Sequence, residues 1–401
     1  MATIEQRRAL FLVALAAVLA NSAWFSATAV VPALEADWHL TAAGSAWLVI
    51  VVQIGFVTGS VGAALLNLPD RVEPRRLIAG SAVAAGVANL GLVATHGLAL
   101  ALPVRFLVGV ALAGVYAPAV RLVATHFEHG RGVATGVVVG SLTLGSATPH
   151  LVRGLGHVPW QATIVVTSGL AVLAAVSVRP VRAGPAAVAT PPLDVGAAIR
   201  ALASQRPLRL ATLGYLGHMW ELYALWSWLA AFFIAARQMH RPSAVETGTV
   251  TFLAIGVAGL VGAVAAGRYA DRLGRTAVTS AAMVISAACC LASPLAFVAT
   301  DPVLIGVLLV WGASVIADSA QFSAAVTELA EPRYAGSVLA LQLALGFTLT
   351  IASIRLVPVA VDLVGWRYAL LPLAVGPLGG TVAMLRLRRL PESLALANGR
   401  R

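Results

Sequence analysis

The stretch GYLGHMWELYALWSW, residues 214–228, sets His218 and Glu221 three residues apart inside a long apolar run. Trp220, Tyr223, Trp226 and Trp228 surround them. An imidazole titrates near neutral pH. A carboxyl in a dry surrounding favours its neutral form. On a helix the two share a face. The combination suits reversible proton binding, with a proton passing between the two or exchanging on Glu221 against a substrate. It also suits a hydrogen-bonded structural pair that ties this helix to a neighbour.

Other polar groups interrupt apolar runs. Asp318 and Arg355 read as a buried pair between neighbouring helices, structural or functional. Asn21 lies about 200 residues before Glu221, a correspondence that matters if the chain is duplicated. Gln53, Gln321 and Gln342 add hydrogen-bonding groups. Trp24 and Phe25 sit mid-run, as do Trp220 and Tyr223, where a membrane interface belt would not place them. Such rings wall a solute cavity or simply pack. We therefore expect Asn21, Trp24, Gln53, Trp220, Tyr223, Gln321 and Arg355 to contact substrate. Glu221, His218 and Asp318 are the expected proton-coupling groups. His150 and Arg153 fit the headgroup region better than a site.

The elements that position these groups follow from composition. Hydrophobic residues make up 59% of the 401 and charged residues 11%. Soluble domains carry about 25% charged residues. The chain is therefore expected to be an integral membrane protein. Its first apolar run reads as a span and not a cleaved leader. A span needs about 20 apolar residues. Twelve runs qualify, near 9–33, 43–66, 76–97, 101–125, 132–155, 160–179, 209–236, 245–268, 276–298, 302–327, 336–361 and 367–387. They are long and continuous, which excludes a membrane barrel. All 27 basic residues are arginine. With both termini on one side, 21 of them fall on that side and four on the other. Arg105 and Arg355 lie within spans. The asymmetry predicts cytoplasmic termini. Residues 1–179 form a first six-helix bundle, 180–208 a Pro- and Arg-rich cytoplasmic linker with a short amphipathic helix, 209–389 a second bundle, and 390–401 a solvated tail. Cys289 and Cys290 are adjacent and read as packing.

Two loops repeat about 201 residues apart. LPDRVEPRRL carries Asp70, Arg71 and Arg75 between spans 2 and 3. GRYADRLGRTAV carries Gly267, Asp271, Arg272, Gly274 and Arg275 between spans 8 and 9. A glycine allows the tight turn, and the aspartate can cap a neighbouring helix or pair with arginine. Such loops hold one conformation closed or merely fix topology. The second copy matches G-x-x-x-D-R-x-G-R in full. The first has Leu66 and Glu73 where glycines are expected. Twelve spans, a central linker and this doubled motif resemble the major facilitator superfamily over nearly the whole chain. The resemblance implies two pseudo-symmetric six-helix bundles and gating by Asp70, Arg71, Arg75, Gly267, Asp271, Arg272 and Arg275. Arg105-x-x-x-Gly109 is similar to the superfamily's span-4 motif and adds Arg105 to that group, although snorkelling to headgroups also fits it. The span-5 signature of drug–proton antiporters is absent; Gly136-x-x-x-Gly140 and Gly145-Ser-Ala-Thr-Pro-His150 stand there instead.

No phosphate-binding loop exists, and no lysine to complete one, which excludes ATP-driven transport by this chain alone. No metal spacing or nucleophilic set supports an enzyme. We expect no cofactor, no nucleic-acid partner and a monomer in the lipid bilayer of a bacterial cytoplasmic membrane. The expected function is proton-coupled secondary transport of a small organic or inorganic anion, with Arg105 and Arg355 supplying charge. The alternative is efflux of hydrophobic drug-like compounds.

Overall fold

The computed structural model describes residues 3–66, 68–127, 131–156, 158–184, 193–237 and 242–400. Among the described residues every regular element is helical. The protein is an all-α membrane protein of twelve spans in two six-helix bundles. The first bundle contains span 1 (Ile4–Asn21, then Ser26–Ala29 and Val31–Trp38), span 2 (Ala42–Leu65) and span 3 (Pro74–Leu90). Span 4 (Leu98–Ala124), span 5 (Arg131–Arg153) and span 6 (Trp160–Val178) complete it. An interfacial helix follows, Val195–Ser204, capped by Asp194 accepting from the Ala197 N–H at 2.7 Å.

The second bundle contains span 7 (Arg206–Ala236), span 8 (residues 244–273), span 9 (Arg275–Val298) and span 10 (Asp301–Ala317 and Ser319–Leu329). Span 11 is Ala335–Val364; span 12 is a 3-10 turn, Leu371–Ala374, running into Val375–Arg388. Among the described residues nine helices are long and apolar enough to cross a membrane. The other three spans depart for visible reasons. Span 1 is cut by its break at residues 22–25, span 5 is diluted by Gly, Ser and Thr, and the helix of span 12 is short. Leucines and valines such as Val87, Leu107, Leu291 and Leu295 stand exposed on the outer wall. Water would penalise that surface, whereas acyl chains match it.

Helices approach closely where side chains vanish. A Cβ on Gly109 would lie 2.1 Å from the Val52 carbonyl, so spans 2 and 4 touch backbone to backbone. Spans 5 and 8 do the same across the seam between bundles. A Cβ on Gly267 would meet the Gly132 carbonyl at 2.5 Å, and one on Gly248 the His150 carbonyl at 2.4 Å. The seam is thus shut at both ends of these spans. The first and last described residues and the described ends of the linker lie at one end of the bundles, here the terminal face; the other is the far face.

Two expectations need correction. The motif GRYADRLGR is helical almost to its end. Span 8 runs through Leu273, and Gly274 alone, with φ +95°, makes the turn. The tail is also not simply solvated. Residues Pro391–Gly399 form 3-10 turns interrupted at Leu396–Asn398, and Leu396 is buried completely. Its Ala397 N–H donates to Glu328 at 3.0 Å, and Arg400 donates to the Asp271 carbonyl at 2.5 Å.

Candidate functional site

A cavity of ≈ 60 Å³ lies between the bundles. Spans 1, 2, 4, 5, 7, 10 and 11 each contribute to its wall. Solute sites usually measure about 300–1,000 Å³. This one holds a few waters at most, so the conformation is closed around its centre. The far-face side of the cavity is an aromatic cluster drawn from both bundles. Trp24 lies 5.0 Å from Phe56, 5.8 Å from Tyr223 and 6.0 Å from Phe347 between ring centroids. Phe56 and Phe347 are 4.5 Å apart. Asn21, Thr143, Ser146, Ser319 and Ser323 are polar lining residues, together with the hydroxyl-bearing Tyr116, Tyr215 and Tyr223, and no lining residue is an acid or a base of the Asp, Glu, His or Arg type. Asn21 spends one amide hydrogen on its own helix, donating to the Ala17 carbonyl at 2.9 Å.

The ionisable groups stand behind this wall, inside the second bundle. Residues 215, 219, 222, 223 and 226 of span 7 line the cavity. His218 and Glu221 lie on the adjacent face, and both are buried. Among the described residues they share no hydrogen bond. The imidazole Nδ1 is 2.7 Å from Asp318 Oδ1, close but away from the line of an aligned hydrogen bond. Asp318 occupies the joint between the two helices of span 10. Tyr215 and Phe322 flank the imidazole, with ring centroids at 6.0 and 5.7 Å. Glu221 has other partners. Its Oε1 accepts from Ser286 at 2.7 Å, from the Cys290 thiol at 3.0 Å, and from the Trp311 indole. The expected proton path between His218 and Glu221 is therefore replaced by two separate clusters. The correspondence of Asn21 with Glu221 also fails in space: Asn21 meets the cavity, whereas Glu221 points into its own bundle.

Arg105 is buried completely. It does not snorkel, because its hydrogens are taken inside the bundle. Nη1 donates to the Ala23 carbonyl at 3.0 Å, to Asn89 Oδ1 at 3.0 Å and to Ser26 Oγ at 3.2 Å. Nη2 donates to the Trp24 carbonyl, and Nε to the Leu48 carbonyl at 3.4 Å. Breaking span 1 frees carbonyls that must find donors elsewhere. Arg105 supplies them, and thereby fixes the turn that aims Trp24 at the cavity.

Arg355 does not meet Asp318. Its Nη1 reaches over the seam to the Ala43 carbonyl at 3.0 Å, at the far face. Neither arginine lends charge to the cavity. Trp220 faces outward, donating to the Pro372 carbonyl at 3.2 Å beside a lateral groove of ≈ 360 Å³. Gln53 is buried away from the cavity, with neither amide atom partnered among the described residues. Gln321 belongs to the terminal face, where its Oε1 accepts from Arg275 at 2.8 Å.

At that face Arg275 also grips Glu328 with two hydrogen bonds of 2.7 and 2.5 Å. A Cβ on Gly132 would lie 2.6 Å from Asp271 Oδ1. The Asp271 carboxylate thus sits against the first turn of span 5, in the other bundle, where a negative charge is favoured. In the first motif copy, Arg75 pairs with Glu73 at 2.7 Å and donates to the Arg179 carbonyl at 3.0 Å, both within its own bundle. Arg71 and Arg272 are exposed. The side chain of Asp70 lies outside the described residues.

Sequence reasoning missed Tyr116, Tyr215, Phe56 and Phe347 in the wall, and Ser286, Trp311, Asn89 and Glu328 among the polar partners. Glu328 had a usable signal, as an acid on the arginine-rich face. The aromatic residues had none, since an uncharged ring in an apolar run reads as packing.

The sequence profile described as Major Facilitator Superfamily matches residues 13–354. No curated protein matches the chain in sequence. Among solved structures, the major facilitator superfamily proton:xylose symporter XylE, bound to 6-bromo-6-deoxy-D-glucose, superposes with a TM-score of 0.74. The identity is 13%, over 95% of each chain.

Proposed function

The chain belongs to the major facilitator superfamily, and from that premise we propose that it moves an organic solute by proton-coupled alternating access. The observation that carries this is a closed, uncharged cavity between two bundles, backed by ionisable groups in one of them. A solute is held at the seam while the bundles rock about it. His218 and Asp318 stand one side chain behind the cavity, next to Tyr215 and Ser319, and Glu221 lies deeper. Buried acids of this kind mark proton relays in membranes. The arginine asymmetry supports cytoplasmic termini, and composition supports a bacterial cytoplasmic membrane. XylE, a proton:xylose symporter, is consistent with coupling, although a shared fold alone does not carry a substrate.

The cavity favours the hydrophobic drug-like alternative over a small anion. An anion there would lose its hydration with no cation facing it. Gating rests on the second motif copy and span 5, with Asp271 crossing the seam.

Reconstitution with an imposed pH gradient tests the coupling. Asp318→Asn and Glu221→Gln should each lower gradient-driven solute uptake at least roughly tenfold while sparing solute exchange. Driven uptake that survives in both variants removes these groups from the proton path.

A further inference from the structure

Among the described residues four indoles have hydrogen-bond acceptors. Trp160 donates to Asp37, Trp220 to the Pro372 carbonyl, Trp228 to the Ile354 carbonyl and Trp311 to Glu221. Trp24 and Trp226 differ. Both are 4% exposed, both line the central cavity, and neither Nε1 has a partner among the described residues. An indole N–H only donates. Left unmet when buried, it costs the full desolvation of the group. Two such donors belong to wall residues of one cavity, one from each bundle, with both nitrogens buried in the closed state; an accepting guest would meet them once the cavity widens.

The remaining wall restricts that guest. Phe56, Tyr223 and Phe347 offer ring faces and edges at stacking distances, 4.5 Å between Phe56 and Phe347 and 5.3 Å between Tyr223 and Phe347. Such surfaces take flat apolar bodies. No acidic side chain lines the cavity to hold a cation, and no basic one to hold an anion.

We infer that the transported solute is an uncharged, flat organic molecule carrying hydrogen-bond acceptors, gripped by the Trp24 N–H from the first bundle and the Trp226 N–H from the second. This rests on the cavity being the transport site. It also gives the solute a role in closure, because only a guest reached by both bundles satisfies both donors. The cavity widens to admit it when the bundles part.

Calorimetry on the purified chain with three probes of one shape decides the class: 4-nitrobenzamide, 4-nitrobenzoate and 4-nitrobenzylamine. The amide should bind at least tenfold more tightly than either charged probe. Trp24→Phe and Trp226→Phe keep a ring and remove the donor, and each should weaken amide binding about tenfold. Trp228→Phe, whose N–H is already taken, should leave it unchanged. Equal or tighter binding of a charged probe, or no amide binding by the folded native chain, overturns the inference without any substitution being needed. Unchanged binding in both Phe variants does the same. Proton flux in proteoliposomes separates the two levels. Flux evoked only by a charged probe keeps the transporter and sinks this solute class. Amide binding without flux keeps the class and sinks transport.

Discussion

In the first bundle the deepest charge is a guanidinium; in the second it is two carboxyls and an imidazole. Arg105 carries a guanidinium whose donors end on three carbonyls, a hydroxyl and an amide oxygen. Nothing in that shell changes its charge with pH near neutrality. His218, Asp318 and Glu221 are groups of a different kind, able to gain or lose a proton. Their partners are also softer: a hydroxyl, a thiol, an indole, and each other. The difference assigns labour. The first bundle contributes a rigid strut that shapes the break in span 1 and presents Asn21 and Trp24. The second contributes the proposed proton site, beside the same cavity. Among the described residues the buried carboxyls of this pseudo-symmetric fold thus stand on one side only.

The largest expected effect breaks the strut. Arg105→Met strands several buried acceptors at once, each worth about 1–3 kcal/mol. Thermal unfolding in detergent should show a loss of several kcal/mol, the largest of any substitution named here. Arg105→Lys keeps the charge without the planar fork and should recover only part of it. A Met variant that melts with the native chain would mean the break in span 1 holds itself, and the contrast between bundles would collapse.

A smaller effect sharpens the second half of the contrast. Trp311→Phe removes one of three donors on Glu221 Oε1 and puts a smaller ring in the indole's place. It should cost about 1–3 kcal/mol in unfolding stability. Because Ser286 and Cys290 still hold the carboxyl, gradient-driven uptake should fall much less than in Asp318→Asn. If the two variants lose driven uptake equally, the two acid clusters work as one unit and not as neighbours.

How much of this the sequence discloses depends on the kind of signal. Composition and run length are enough for twelve spans, because lipid imposes length and apolarity on every helix it contains. The doubled DR motif discloses the duplication. Partner choice is different. His218 and Glu221 at i, i+3 are legible as a face, yet which neighbour that face meets is decided by how spans 9 and 10 pack. Trp220 and Trp226 look alike in the run, but six residues of helix turn one toward span 12 and its lateral groove and the other to the cavity. Arg105 reads as a snorkelling residue from its depth alone; only the break in span 1, invisible in an apolar run, explains its burial. The tail reads as solvated by composition, although one leucine docks it.

The smallest expected effect concerns the other arginine within a span. Arg355 is half-buried and, among the described residues, makes one hydrogen bond, to the Ala43 carbonyl of the opposite bundle. A single hydrogen bond near solvent is worth about 1 kcal/mol or less. Arg355→Leu should therefore leave unfolding nearly unchanged. Its consequence lies in the seam, since spans 2 and 11 part at the far face whenever the cavity opens there. A Ser146→Cys probe reads this, because Ser146 lines the cavity and is buried when the seam is shut. The native Cys289 and Cys290 are buried and stay silent. Arg355→Leu should raise the rate at which a bulky thiol reagent reaches Cys at 146 by about two- to fivefold, the Boltzmann weight of a bond of this size. An unchanged rate would mean that the aromatic cluster alone holds the far face, and that Arg355, unlike Arg105, is dispensable to the shape of the cavity.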